Sequence, residues 1–117
     1  MIDFASKNED DDQTSVYFNI EADEVMAIGE KMEAINEQAY MNGYNWEAFL
    51  NHYLQINEPE LLVGLDTDSE AGTYVALYDK ADSDKADKLI DVINSLINNP
   101  DKIYSFLEEE GNDIEWD

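Results

Sequence analysis

Across residues 41–78 the apolar positions change from a helical to a strand period over two chain-breaking residues, and few arrangements satisfy both halves in so short a span. Asn42-Gly43 is a turn dipeptide, because both residues tolerate positive φ and glycine has no Cβ to clash. The chain restarts as a helix near Asn45, where Trp46, Phe49, Leu50, Tyr53 and Leu54 recur at i, i+3, i+4, i+7 and i+8 and make one apolar stripe. Pro59 stops or restarts that helix, and Gly64 loosens the chain again. The acidic run LDTDSEAG then reads as a turn feeding a strand over residues 73–78. A helix is thus delivered onto a strand.

The flanking segments supply the other layers. Residues 2–6 place Ile2 and Phe4 on one face if extended, and residues 15–21 alternate Val16, Phe18 and Ile20 against Tyr17, Asn19 and Glu21. The intervening KNEDDDQT has turn chemistry, so a hairpin is expected, with Asp10, Asp11 and Asp12 in a solvated turn. Residues 23–40 change period again, with Val25, Ile28, Gly29, Met32, Ile35 and Ala39 on one face of a helix of about five turns. Gly29 costs that helix about 1 kcal/mol relative to Ala, which points to close packing against another backbone. Further on, Ser83 is a candidate N-cap for a stripe of Ala86, Leu89, Ile90, Ile93, Leu96 and Ile97. Asn99-Pro100 caps and opens a last helix that turns Ile103, Phe106 and Leu107 inward until Gly111 ends it. The terminal GNDIEWD either adds an edge strand or trails. The expectation is a single α+β domain over residues 1–117, a small, mainly antiparallel sheet of three to four strands packed with about four helices.

Charge narrows the partners. Twenty-nine acidic against six basic side chains give a net charge of −23, which cannot be neutralised internally, so most carboxylates face water. Nucleic acid and anionic membrane are disfavoured, since phosphate binding draws its affinity from Lys and Arg releasing counterions. A basic macromolecule is the natural complement, and solubility is the bland alternative for the same charge. The acidic N-terminus is unlike a secretory signal, no apolar run approaches membrane-spanning length, and there are no cysteines. A cytoplasmic protein is expected.

Catalytic chemistry is hard to assemble from these residues. The single histidine, His52, falls about 130° from the middle of its helix's apolar stripe and is expected to face solvent. No nucleophile-elbow pattern accompanies it, and carboxylate pairs carry little information in so acidic a chain. The run from Asp66 misses a calcium loop: glycine falls at the seventh position instead of the sixth, and Leu77 stands where a bidentate Glu is needed. No catalytic, metal-binding or cofactor-binding residue is assigned.

Two surfaces are candidates for binding a partner. Tyr74 and Tyr78 lie on the strand face opposite Val75 and Leu77, with Tyr17 placed likewise on the other strand. If no helix covers that face, the three tyrosines offer contact area at small entropic cost; if helices cover both faces, they are core. The second is the C-terminus, where Glu108, Glu109, Glu110, Asp113, Glu115 and Asp117 surround Trp116 as a binding patch or a solvated end.

Three short motifs in order, Asn42-Gly43-Tyr44-x-Trp46-Glu47-Ala48, Pro59-Glu60-Leu61 and Leu65-Asp66-x-Asp68-x-Glu70-Ala71-Gly72-Thr73, resemble the immunity protein 51 family of bacterial polymorphic-toxin and contact-dependent inhibition systems. The resemblance spans roughly the middle third of the chain, and the N-terminal part carries no such match. It implies a small cytoplasmic protein that binds and neutralises one cognate toxin, with no catalytic chemistry of its own. Joined with the charge, it implies a one-to-one complex with a basic, nuclease-type toxin domain, and the two surfaces above become candidate toxin-binding residues. The rival reading is an acidic nucleic-acid mimic that occupies the grooves of many basic proteins; an enzyme ranks third, with no reaction to name.

Overall fold

The computed structural model describes residues 3–116. Its elements run β1 (Ser6–Glu9), β2 (Gln13–Asn19), α1 (Asp23–Ile35), α2 (Gly43–Asn57), β3 (Asp66–Thr67), β4 (Thr73–Asp79), α3 (Ser83–Asn98) and α4 (Pro100–Glu110). The four strands form one antiparallel sheet in the order β1-β2-β4-β3. This is the expected α+β architecture.

The hairpin exists, but its first strand begins later than the sequence pattern suggested. Lys7, Asn8 and Glu9 are in β1 and not in the turn, because the Asp10 carboxylate accepts the N–H groups of Asp12 and Gln13 at 2.9 and 2.7 Å and closes the reversal within three residues. Those two bonds also hold the Asp10 carboxyl below the usual range. Ile2 lies outside the described residues, and Phe4 precedes the strand.

Helix α1 stops at Ile35, short of residue 40. Asn36 is extended (φ −139°, ψ 114°) and its side chain accepts the N–H of Gln38, a local bond that competes with the helical ladder. Ala39 is still buried, but from the loop. At α2 the Asn42 side chain caps by accepting from the Asn45 N–H at 2.9 Å. Pro59 opens a short 3-10 turn (Pro59–Leu62), and Gly64 takes φ +80°, a region glycine enters without strain. Ser83 is the first residue of α3 and not its cap, and Asn99 turns back to donate to the Ser95 carbonyl and does not cap α4. After α4, Gly111–Asp113 makes another 3-10 turn, so the C-terminus adds no strand among the described residues.

The core lies between the helices and one sheet face. Val16 and Phe18 of β2 and Tyr74, Ala76 and Tyr78 of β4 point into it and are buried, whereas their strand neighbours are partly exposed. Trp46 is 1% exposed and sits edge-on between Phe18 and Phe49, at 5.5 and 6.0 Å between ring centroids. One buried side chain ties α3 to the segment that leads into β1. Asn94 on α3 accepts the N–H groups of Phe4 and Ala5 at 2.8 and 3.0 Å.

Candidate functional site

The sequence leaves two readings open for the tyrosines, an uncovered face or core, and the three do not share one face. Antiparallel register pairs Phe18 with Tyr74 and Thr14 with Tyr78, so both β4 tyrosines share the buried face, while Tyr17 pairs with Val75 on the other. Tyr74 stacks at a tilt on Phe18, 5.3 Å between centroids, and Tyr78 donates to the Leu61 carbonyl at 2.6 Å. Burial, followed by the Asp82 carboxylate, pushes the Tyr78 hydroxyl up to about 12, and burial raises Tyr74 further. Both are core residues. The face that helices leave uncovered carries Tyr17, 40% exposed, with Val75 and Leu77, and polar residues such as Ser15, Asn19 and Thr73 around them.

The C-terminal acids divide among several roles. Glu108 and Glu109 are exposed on α4. Glu110 turns inward to meet His52, whose ring N–H donates to it at 3.0 Å, and His52 also packs on Phe106. His52 is therefore half-buried and not solvent-facing, because Phe106 and Glu110 of α4 reach across to its ring. Asp113 and Glu115 line a polar recess with His52 and Asn51. Trp116 folds back, donating from Nε1 to the Gly111 carbonyl at 3.1 Å, and packs against the core. Asp117 lies outside the described residues.

A third surface was not anticipated. A cleft of about 440 Å³ opens between α1, the α1–α2 loop and the β3–β4 turn. Its helix wall is Met26, Gly29, Glu30 and Glu33, spaced i, i+3, i+4 and i+7, a second stripe beside the core stripe of Val25, Ile28 and Met32. Ile20 and Met41 supply apolar floor, Tyr40 stands at the mouth 72% exposed, and Glu21 lies against Gly72 at the far lip. Met26 is 47% exposed. The sequence signal for this wall was a methionine at helical spacing with glutamates on an otherwise polar face.

The loop that floors the cleft is tightly held. A Cβ on Gly29 would lie 3.1 Å from the Met41 Cβ, so the close packing expected at Gly29 is with the Met41 side chain. Met41 itself has φ +58°, a left-handed conformation that costs a non-glycine residue energy and persists only where its surroundings enforce it. Enforcement comes from the next residues: the Gly43 N–H donates to the Ala71 carbonyl at 2.8 Å, and Gly43 abuts the Glu70 carbonyl so closely that no side chain fits. Two of the three sequence motifs are thus pressed together across the fold.

The sequence model of the immunity protein 51 family matches residues 4–112. The chain belongs to this family. No curated protein and no solved structure matches it. The match reaches far beyond the middle third that carried the resemblance, into the N-terminal hairpin and through α4. In this immunity protein the motif residues serve mostly as scaffold: Trp46 and Leu61 are buried, Asn42 caps α2, and Gly43 contacts the Glu70–Thr73 turn. Among the described residues no cluster of His, Cys, Asp and Glu is arranged to hold a metal ion, and no helix is long and apolar enough to cross a membrane.

Proposed function

We propose that this immunity protein acts in the cytoplasm by binding one cognate toxin domain, basic and of nuclease type, in a one-to-one complex that occludes the toxin and requires no reaction. Family membership carries the reading, and the charge supports its electrostatic half. Of the six basic residues, all lysines, Lys7 is paired with Glu9 and Asp87, Lys31 lies over the Tyr104 ring and Lys85 donates to the Val63 carbonyl. The remaining lysines are far too few for twenty-nine acids, so the field around the molecule stays negative and attracts a cationic partner at long range. Buried contacts then set the lifetime of the complex.

The deciding experiment is co-expression with the toxin domain encoded beside the protein's gene and, separately, with unrelated nucleases. Protection from the first alone is expected. Equal protection from all of them would support a nucleic-acid mimic instead, and a toxin recovered covalently altered would support an enzyme.

A further inference from the structure

We propose that the cleft between α1, the α1–α2 loop and the β3–β4 turn receives an arginine side chain of the toxin, an inference that rests on the immunity reading above. The occupant follows from the walls. An apolar floor of Ile20 and Met41, with Met26 and Tyr40 exposed beside it, accepts the aliphatic stem of a long side chain. The carboxylates of Glu21, Glu30 and Glu33 flank that floor, and no lysine lines the cleft. Among the described residues the ion pairs involve Lys7 and His52, both elsewhere, so none of these three acids is in an ion pair with another described residue. Arginine fits better than lysine because its flat guanidinium stacks on an aromatic face such as Tyr40 while donating to several carboxylates at once. Exposed Met and Tyr beside a recess are also the residue types enriched at the centres of protein interfaces.

The other two surfaces lack one half of this combination. On the uncovered sheet face the recess beside Tyr17 is lined by Ser6, Asn19, Thr73 and a single acidic residue, Glu21, which the cleft shares. Near the C-terminus only Asp113 and Glu115 of the acids line the recess, which is polar, and Glu110 is already paired with His52.

The test compares two variants of equal charge change, Glu30→Gln/Glu33→Gln in the cleft and Glu108→Gln/Glu109→Gln on α4, both at exposed positions, with retention of the fold checked by circular dichroism. Since each removes two charges, long-range steering falls equally and only local contact distinguishes them. The cleft pair is expected to weaken binding of the cognate toxin domain at least about tenfold, and the α4 pair by less than about threefold. Equal losses, or the larger loss on α4, would overturn the cleft while leaving the immunity reading intact. Failure of the unaltered protein to bind the toxin would overturn that reading itself. A toxin-independent arm uses methyl-labelled methionine and a capped tri-arginine peptide, compared with its neutral citrulline counterpart. The Met26 and Met41 methyl resonances should shift with arginine only, with core Met32 as an unmoved control. Stationary Met26 and Met41 signals, or equal shifts with citrulline, would overturn the proposal.

Discussion

At Gly43 the structure has no space for even one more carbon: a Cβ would collide with the carbonyl oxygen of Glu70 and come within 2.7 Å of that of Thr73. Both are backbone atoms held in the β3–β4 turn, so neither can swing aside. Gly43→Ala is expected to destabilise the protein by about 3 kcal/mol through overpacking, seen as a lower urea midpoint. Gly72→Ala is the matched contrast. There the nearest atom is the end of the flexible Glu21 side chain at 3.1 Å, which can move, and a change within about 0.5 kcal/mol is expected. Tyr74 poses the opposite case, since its buried hydroxyl has no hydrogen-bond partner among the described residues. Tyr74→Phe should therefore raise stability at neutral pH by about 1 kcal/mol. The two buried tyrosines also fix an alkaline limit. Their hydroxyls hold protons more tightly folded than unfolded, so their contribution is complete below the ordinary tyrosine value of about 10. It is lost as pH rises from there through about 12, where Tyr78 ionises in the folded protein. A denaturation series across that range should show stability falling, less steeply in the Phe variant. Trp46 was legible as core because its helix stripe is self-contained. Tyr74 and Tyr78 were not, because which face a strand buries depends on its register with a distant partner.

The elements themselves were mostly legible, and the misses cluster where one side chain redirects the backbone. Asp10 shortened the hairpin turn and Asn36 ended α1 early, each by accepting nearby N–H groups that spacing of apolar residues does not register. The cleft was illegible for a different reason: its walls come from Ile20-Glu21, α1, Tyr40–Asn42 and Ala71-Gly72, segments that only the tertiary fold brings together. Asn94 shows how much one polar residue can do between elements. It stands on the buried side of α3 between Ile93 and Leu96, and its carbonyl oxygen carries two N–H groups of the segment leading into β1. Asn94→Ala leaves both donors without that acceptor and is expected to cost about 1–3 kcal/mol. Hydrogen exchange should show the amides of Phe4 and Ala5 losing protection first, ahead of β2. Protection that falls evenly across the sheet would mean that the N-terminal segment is not held by this contact.

On the scale of the whole molecule, the excess of 23 negative charges opposes compaction, because folding brings carboxylates closer than the unfolded chain holds them. Salt screens this repulsion, with a Debye length that shrinks from about 30 Å at 0.01 M to about 10 Å at 0.1 M. The thermal midpoint should therefore rise with sodium chloride over that range, measurable by circular dichroism without any partner; a midpoint that falls would show that attractive pairs outweigh the repulsion. The same charge that opposes folding is what a cationic partner would relieve. Strand order has a consequence in time. The central pair of the sheet joins β2 to β4, matching Asn19 with Thr73 and Gln13 with Asp79, while α1 and α2 lie between them in the chain. A chain emerging from the ribosome can form its first hairpin and its first two helices, yet these have no completed sheet to cover until Asp79 has been made. Closing so long a loop before its contacts form makes folding slower than in a helical bundle of this size. A copy thus lacks its central strand pair until Asp79 is made, and in the proposed role only copies past that point are ready to meet the toxin.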